Sequence, residues 1–129
     1  MNSEILNRKG ARKTQDIPTE VLRFLNKGQI ETVNLTEWLA VEHLSLINTV
    51  FPELGIDQNK TILVIKEIES QKKTSTIYTT KLVGSTLYKL YSKTKNLDEI
   101  IKKLSSHKSD TVRCYAPYLI GLNENLTIF

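Results

Sequence analysis

His43, His107, Cys114 and Trp38 are the chain's two histidines, its one thiol and its one tryptophan, and they are the side chains with the most reactive or ligating character. Their spacing assigns them little chemistry. A structural zinc site gathers four nitrogen or sulfur ligands and a catalytic one three, and these residues form no such cluster, so neither a metal nor a cofactor is expected. His43 falls on an apolar stripe at helical spacing and reads as a core or interface histidine. His107 reads as part of a turn, and Cys114 as a small buried hydrophobe. Gly10, Gly28, Gly55, Gly84 and Gly121 occur singly, so neither a phosphate loop nor a dinucleotide fingerprint is present. Asp98 and Glu99 stand side by side in a first helical turn, where the helix dipole accounts for them without catalysis. Glu67 and Glu69 lie among lysines and read as solvated. No catalytic set can be assigned.

Charge is the more informative property. The net +4 is unevenly spread. Residues 1–27 carry six Lys or Arg against three acids, residues 28–59 none against five, and residues 60–113 twelve against five. A basic excess attracts phosphate backbones, because neutralised phosphates release condensed counterions. Lys102, Lys103, Lys108 and Arg113 cluster around one helix–turn–helix junction, while Arg8, Lys9, Arg12 and Lys13 occupy an N-terminal arm. Tyr78, Tyr88 and Tyr91 interleave with Lys81, Lys89 and Lys93, but helical spacing makes Tyr91 a core residue before a base-stacking one. Lysine outnumbers arginine, and no helix arrays Arg and Asn for groove readout. The expected activity is therefore weak duplex DNA binding without sequence preference, through Arg12, Lys13, Lys102, Lys103 and Lys108. The alternative is a protein–protein interaction scaffold with no nucleic-acid or catalytic role, which the acidic 28–59 stretch fits equally well.

The elements that position these residues follow from hydrophobic spacing. At 129 residues, with 40% apolar and 25% charged side chains, the chain has the size and composition of one globular domain. A lone cysteine gives no disulfide framework and points to a reducing, cytoplasmic location. No stretch approaches the roughly 20 apolar residues of a membrane span. Residues 1–15 read as a basic arm, mobile unless something holds it, and residues 16–129 as the folded domain. Pro18 opens a helix carrying Ile17, Val21, Phe24 and Leu25 on one face, stopped by Gly28. Asn34 and Glu37 have capping-box spacing ahead of a stripe of Leu39, His43, Leu46, Ile47 and Val50, ended by Pro52 and Gly55. Residues 60–95 are ambiguous. Ile62 to Ile65 and Thr74 to Thr80 have strand-like composition, yet Val83, Leu87, Leu90 and Tyr91 keep helical spacing. The choice is two helices divided near residues 70–73, with a hairpin ahead of one helix as the alternative. Asn96 and Glu99 then repeat the capping pattern before Leu97, Ile100, Ile101 and Leu104. Ser109 caps a last stripe of Val112, Ala116, Leu119 and Ile120, closed by Gly121 and containing Pro117, which should kink it.

Residues 97–121 resemble a HEAT repeat. The likeness rests on Asp110, Val112, Arg113, Ala116, Ile120 and Gly121 in the pattern D-x-V-R-x-x-A-x-x-x-I-G. More loosely, the same run with the helices before it looks like the bacterial DNA alkylation repair class of HEAT-like proteins. The resemblance implies an all-α superhelical stack of antiparallel helix pairs, in which Asp110 and Arg113 form a structural ladder between repeats. Active members of that class are glycosylases that excise cationic alkylated purines with a catalytic aspartate and aromatic residues on a basic concave surface. That catalytic set has no counterpart here, since Asp110 takes the ladder position. Residues 125–129 read as the start of a following repeat that is absent. An uncovered C-terminal repeat face would then be open to self-association.

Overall fold

The computed structural model describes residues 3–72 and 75–122, and among these every regular element is helical. A short α1 (Ser3–Leu6) and a single 3-10 turn (Thr14–Asp16) precede α2 (Thr19–Asn26), α3 (Leu35–Ala40), α4 (His43–Glu53) and α5 (Gln58–Glu69). Then come α6 (Thr76–Tyr91), α7 (Leu97–Ser105) and α8 (Asp110–Leu122). None is long and apolar enough to cross a membrane. The interpretation of residues 125–129 as the start of a further repeat lies outside the described residues.

Residues 60–91 resolve as two helices, and the strand-like composition loses for an identifiable reason. Asp57 caps α5, its Oδ1 accepting the Lys60 N–H at 2.9 Å. From there Thr61 and Val64 are buried, with Ile65 and Ile68 packed against the core. Helical spacing puts those four on one side, and their burial outweighs the weak β preference of branched residues. In α6, Ser75 accepts the Tyr78 N–H, and Thr79, Val83, Leu87 and Tyr91 enter the core. Helix α6 packs against α5 on one side and α8 on the other, and α7 packs on α8. Gly84 marks the closest approach: a Cβ there would lie 2.6 Å from the Tyr115 carbonyl oxygen on α8.

Three boundaries differ from expectation. The stripe from Leu39 to Val50 is not one helix, because the chain leaves helical geometry at Val41 and Glu42. At the break Asn26 Oδ1 accepts the Glu42 N–H at 2.8 Å, and Val41 turns inward while Leu39 stays 51% exposed. Asn96 makes no side-chain cap. Gly121 does not stop α8, which runs through Pro117 and Gly121 to Leu122, the last described residue. By contrast, Gly28 and Gly55 end α2 and α4 with φ of 71° and 80°, a conformation open to glycine.

Candidate nucleic-acid interface

The α7–α8 hairpin carries most of the expected phosphate contacts. Leu97, Ile100 and Leu104 bury one face of α7, which leaves Lys102 facing solvent. Lys103 is differently placed. Its Nζ lies 3.1 Å from Glu99 Oε1, one turn earlier, and donates to the Leu54 carbonyl at 3.3 Å. Leu54 closes α4, so Lys103 serves the negative end of that helix dipole. The turn itself is tightly bonded. His107 Nδ1 accepts the Ser109 N–H at 2.9 Å, and Arg113 Nη1 donates to the His107 carbonyl at 2.7 Å. Ser109 caps α8 by accepting the Val112 N–H. Partial burial keeps His107 below its ordinary pKa. Lys108 projects from this turn into solvent.

Asp110 and Arg113 turn the other way, toward the connection between α2 and α3. Asp110 Oδ1 accepts the Thr32 N–H at 3.0 Å, and Oδ2 accepts the Thr32 hydroxyl at 2.5 Å. Arg113 pairs with the Glu31 carboxylate. Both side chains therefore hold tertiary structure, across sequence separations of 78 and 82 residues.

The N-terminal arm is held, and Arg8 holds it. Its guanidinium is 11% exposed and meets the Glu37 carboxylate, which is 1% exposed. The same group donates to the Ile5 and Glu31 carbonyls, while Asn34 Nδ2 donates to the Ala11 carbonyl at 2.9 Å. Gly10 adopts φ 84° where a Cβ would strike the Asn34 side chain. Arg12 is fixed by its backbone, its carbonyl accepting from the Thr36 hydroxyl at 3.3 Å, and the Arg12 and Lys13 side chains stay exposed. Glu31 links the two regions, since its carbonyl receives Arg8 and its carboxylate Arg113. Arg12, Lys13 and Lys108 thus flank one connection, Lys102 lies further along α7, and Lys103 is occupied.

Two relationships lie beyond what sequence spacing signals. One is the Arg8–Glu37 pair. The other joins His43, at the start of α4, to Tyr115 on α8: His43 Nδ1 and the Tyr115 hydroxyl are 2.6 Å apart and buried. Burial pushes the imidazole pKa down to about 4 and raises that of the phenol. His43 Nε2 has no hydrogen-bond partner among the described residues. Cys114, beside Tyr115, is half-buried, which raises its thiol pKa, and the Trp38 side chain lies close to it. Tyr91 is buried in the core with the Lys60 ammonium 5.2 Å from its ring centre.

Two cavities adjoin these groups. One of about 450 Å³ lies between the arm and α2, lined among others by Ile5, Arg8, Asp16, Val21 and Glu37. One of about 280 Å³ lies beside His43, with Val41, Glu42, Ile68, Thr76 and Thr79 in its wall. Among the described residues, no three His, Cys, Asp or Glu side chains gather as a metal would require. Comparison with known protein families, with curated proteins and with solved structures finds no match.

Proposed function

We propose that the chain is a HEAT-like helical module that binds duplex DNA weakly and without sequence preference. The stacking is supported by which helices touch: α5 packs with α6, α7 with α8, and α6 lies directly on α8. Successive pairs contacting through their second helices is the arrangement of a repeat stack. The observation that carries the binding reading is that four of the five expected contacts, Arg12, Lys13, Lys102 and Lys108, are exposed cations without carboxylate partners among the described residues. Ammonium groups left in water can exchange it for phosphate at little desolvation cost. Arg113 and Lys103 are spent on structure and contribute less.

Fluorescence anisotropy with a labelled duplex, titrated at several salt concentrations, tests this. Four phosphate contacts predict a log–log salt slope of about −3 to −4 and dissociation constants near 10⁻⁴–10⁻⁶ M at physiological salt. Absence of binding at low salt would reject it.

A second reading, a protein-interaction scaffold, is favoured by one specific feature. Leu35, Leu39 and Ile77 are 66%, 51% and 62% exposed, and the Thr76 hydroxyl bonded to the Leu39 carbonyl brings α3 beside the start of α6. Apolar side chains grouped on a surface mark protein contacts more often than phosphate contacts.

A further inference from the structure

Helix α3 is tied mainly to the N-terminal arm, through Glu37 with Arg8, Asn34 with the Ala11 carbonyl and Thr36 with the Arg12 carbonyl. Toward the rest of the fold, Trp38 lies close to Cys114 of α8, and the Leu39 carbonyl accepts the Thr76 hydroxyl of α6. Immediately after it the chain breaks at Val41 and Glu42, and the next helical residue is His43, 7% exposed and bonded to Tyr115. A short helix joined through a non-helical break can open at lower free energy than the core behind it. The hydrogen bond that joins this junction to α8 comes from an imidazole with one nitrogen engaged and the other buried without a partner among the described residues, while Asp110 and Arg113 hold α8 separately to Thr32 and Glu31 ahead of α3.

We propose that His43 is the pin of an acid-released junction, so that protonating its ring frees the end of α3 and the start of α4 from α8 while the ties of α3 to the arm and the remaining helices stay in place. The charged form is disfavoured in place by three features. The ring is buried, it lies in the first turn of α4 where the helix dipole is positive, and among the described residues no carboxylate hydrogen-bonds to it. The groups around it are accounted for element by element. Glu42 precedes it and is exposed, with its backbone N–H taken by Asn26. Helix α8 presents Tyr115 beside Cys114; α5 presents Ile68, α6 presents Thr76 and Thr79, and α3 presents Leu39. The 280 Å³ cavity beside the ring gives it room to leave toward solvent, where imidazolium is well hydrated.

Trp38 reports the event, being the chain's one tryptophan and lying close to Cys114 of α8, since a nearby thiol can quench indole emission. On acidification of the full chain, Trp38 emission should rise and shift to the red along a one-proton curve with its midpoint between pH 4 and 6.5. The far-UV circular dichroism should stay helical over that range. His43→Gln, which cannot take up a proton there, should lose the emission change. Tyr115→Phe, which keeps the ring and removes only the hydroxyl, should show part of the released emission already at pH 7. Emission that stays flat in the wild-type chain, or that moves together with loss of helix, overturns the proposal. So does an unchanged curve in His43→Gln. Should that variant fail to fold, unaltered emission in Tyr115→Phe at pH 7 overturns it equally.

Discussion

Arg8 and Glu37 form a forked ion pair, Nε donating to Oε2 at 2.7 Å and Nη2 to Oε1 at 2.5 Å, with both side chains almost wholly removed from water. Glu37 Oε1 also accepts the Val33 N–H at 3.0 Å, so one carboxylate holds the arm, the approach to α3 and α3 itself. Removing one member of a buried pair strands the other charge. Arg8→Ala should therefore cost about 3–5 kcal/mol, seen as a lower urea midpoint. Arg8→Met combined with Glu37→Leu should be less damaging than Arg8→Met alone, because the double change leaves no buried charge. Equal midpoints for the single and double variants would show that the pair does not couple the arm to α3.

Gly84 is the second structural constraint. By intrinsic helix propensity alone, Gly84→Ala in the middle of α6 should stabilise by about 1 kcal/mol. The structure reverses that sign, because the new Cβ would meet the Tyr115 carbonyl at 2.6 Å and the Tyr118 Cβ at 2.7 Å. Neither neighbour is the flexible end of a side chain, so α6 and α8 must separate. A loss of roughly 1–3 kcal/mol is expected, measured as a fall in melting temperature. A rise would mean the two helices approach less closely.

These two sites show where sequence reading works and where it stops. Asn34 and Ser109 are legible as caps because cap chemistry acts over three residues, and both bonds form. The division between α5 and α6 is legible because four apolar positions at helical spacing outweigh strand-like composition. The break at Val41 is not legible, since the side chain that takes up the freed Glu42 N–H there, Asn26, lies 16 residues earlier. Glu37 has the spacing of a capping-box residue and becomes an ion-pair partner for Arg8, 29 positions away. His43 reads as a buried interface histidine, yet nothing local identifies Tyr115, 72 residues on, as its partner. The basic residues are legible as a set; which of them are already paired, such as Lys103 with Glu99, emerges once the helices are placed.

Asp110 and Arg113 should separate in their energetic weight. Asp110→Ala removes two hydrogen bonds to Thr32 and leaves a part-buried N–H without its acceptor, a loss of about 1–3 kcal/mol. Arg113 and Glu31 are 36% and 57% exposed at their side chains, so that pair contributes at most about 1 kcal/mol, and the remaining Arg113 bond, to the His107 carbonyl, stays within the α7–α8 turn. Arg113→Ala should accordingly lower the urea midpoint less than Asp110→Ala. The reverse order would assign the tie between α8 and the α2–α3 connection to the arginine.

Stability should fall on mild acidification. His43 has its pKa depressed by burial from 6.5 to about 4, so between those values the unfolded chain holds more protons than the folded one. Stability then rises with pH: the contribution is complete above 6.5 and lost as pH falls toward 4. His107 is shifted the same way and adds the same sign. The full His43 difference corresponds to about 3 kcal/mol, and less is lost where the α3–α4 junction releases first. Urea midpoints at pH 7 and pH 5 should differ more in the wild-type chain than in His43→Gln, which keeps the His107 contribution. Identical pH dependence in both would place the linkage elsewhere.

The charge placement on α7 makes the proposed DNA binding divisible by residue. Lys102 and Lys108 are exposed and without carboxylate partners among the described residues, whereas Lys103 is engaged by Glu99 and the Leu54 carbonyl. If phosphate attraction operates there, Lys102→Glu with Lys108→Glu should weaken binding to every duplex alike and flatten the log–log salt slope by about two units. Lys103→Gln should leave that slope almost unchanged and instead lower thermal stability, since it removes a donor from the end of α4. Arg12→Gln with Lys13→Gln should flatten the slope without a stability change, because the arm is held by Arg8 and by backbone bonds. A double reversal that leaves DNA affinity intact would reject the electrostatic mechanism and favour the apolar face of Leu35, Leu39 and Ile77 as the working surface. Charged substitution of those three residues, with DNA binding unaffected and partner binding lost, would then be the expected result.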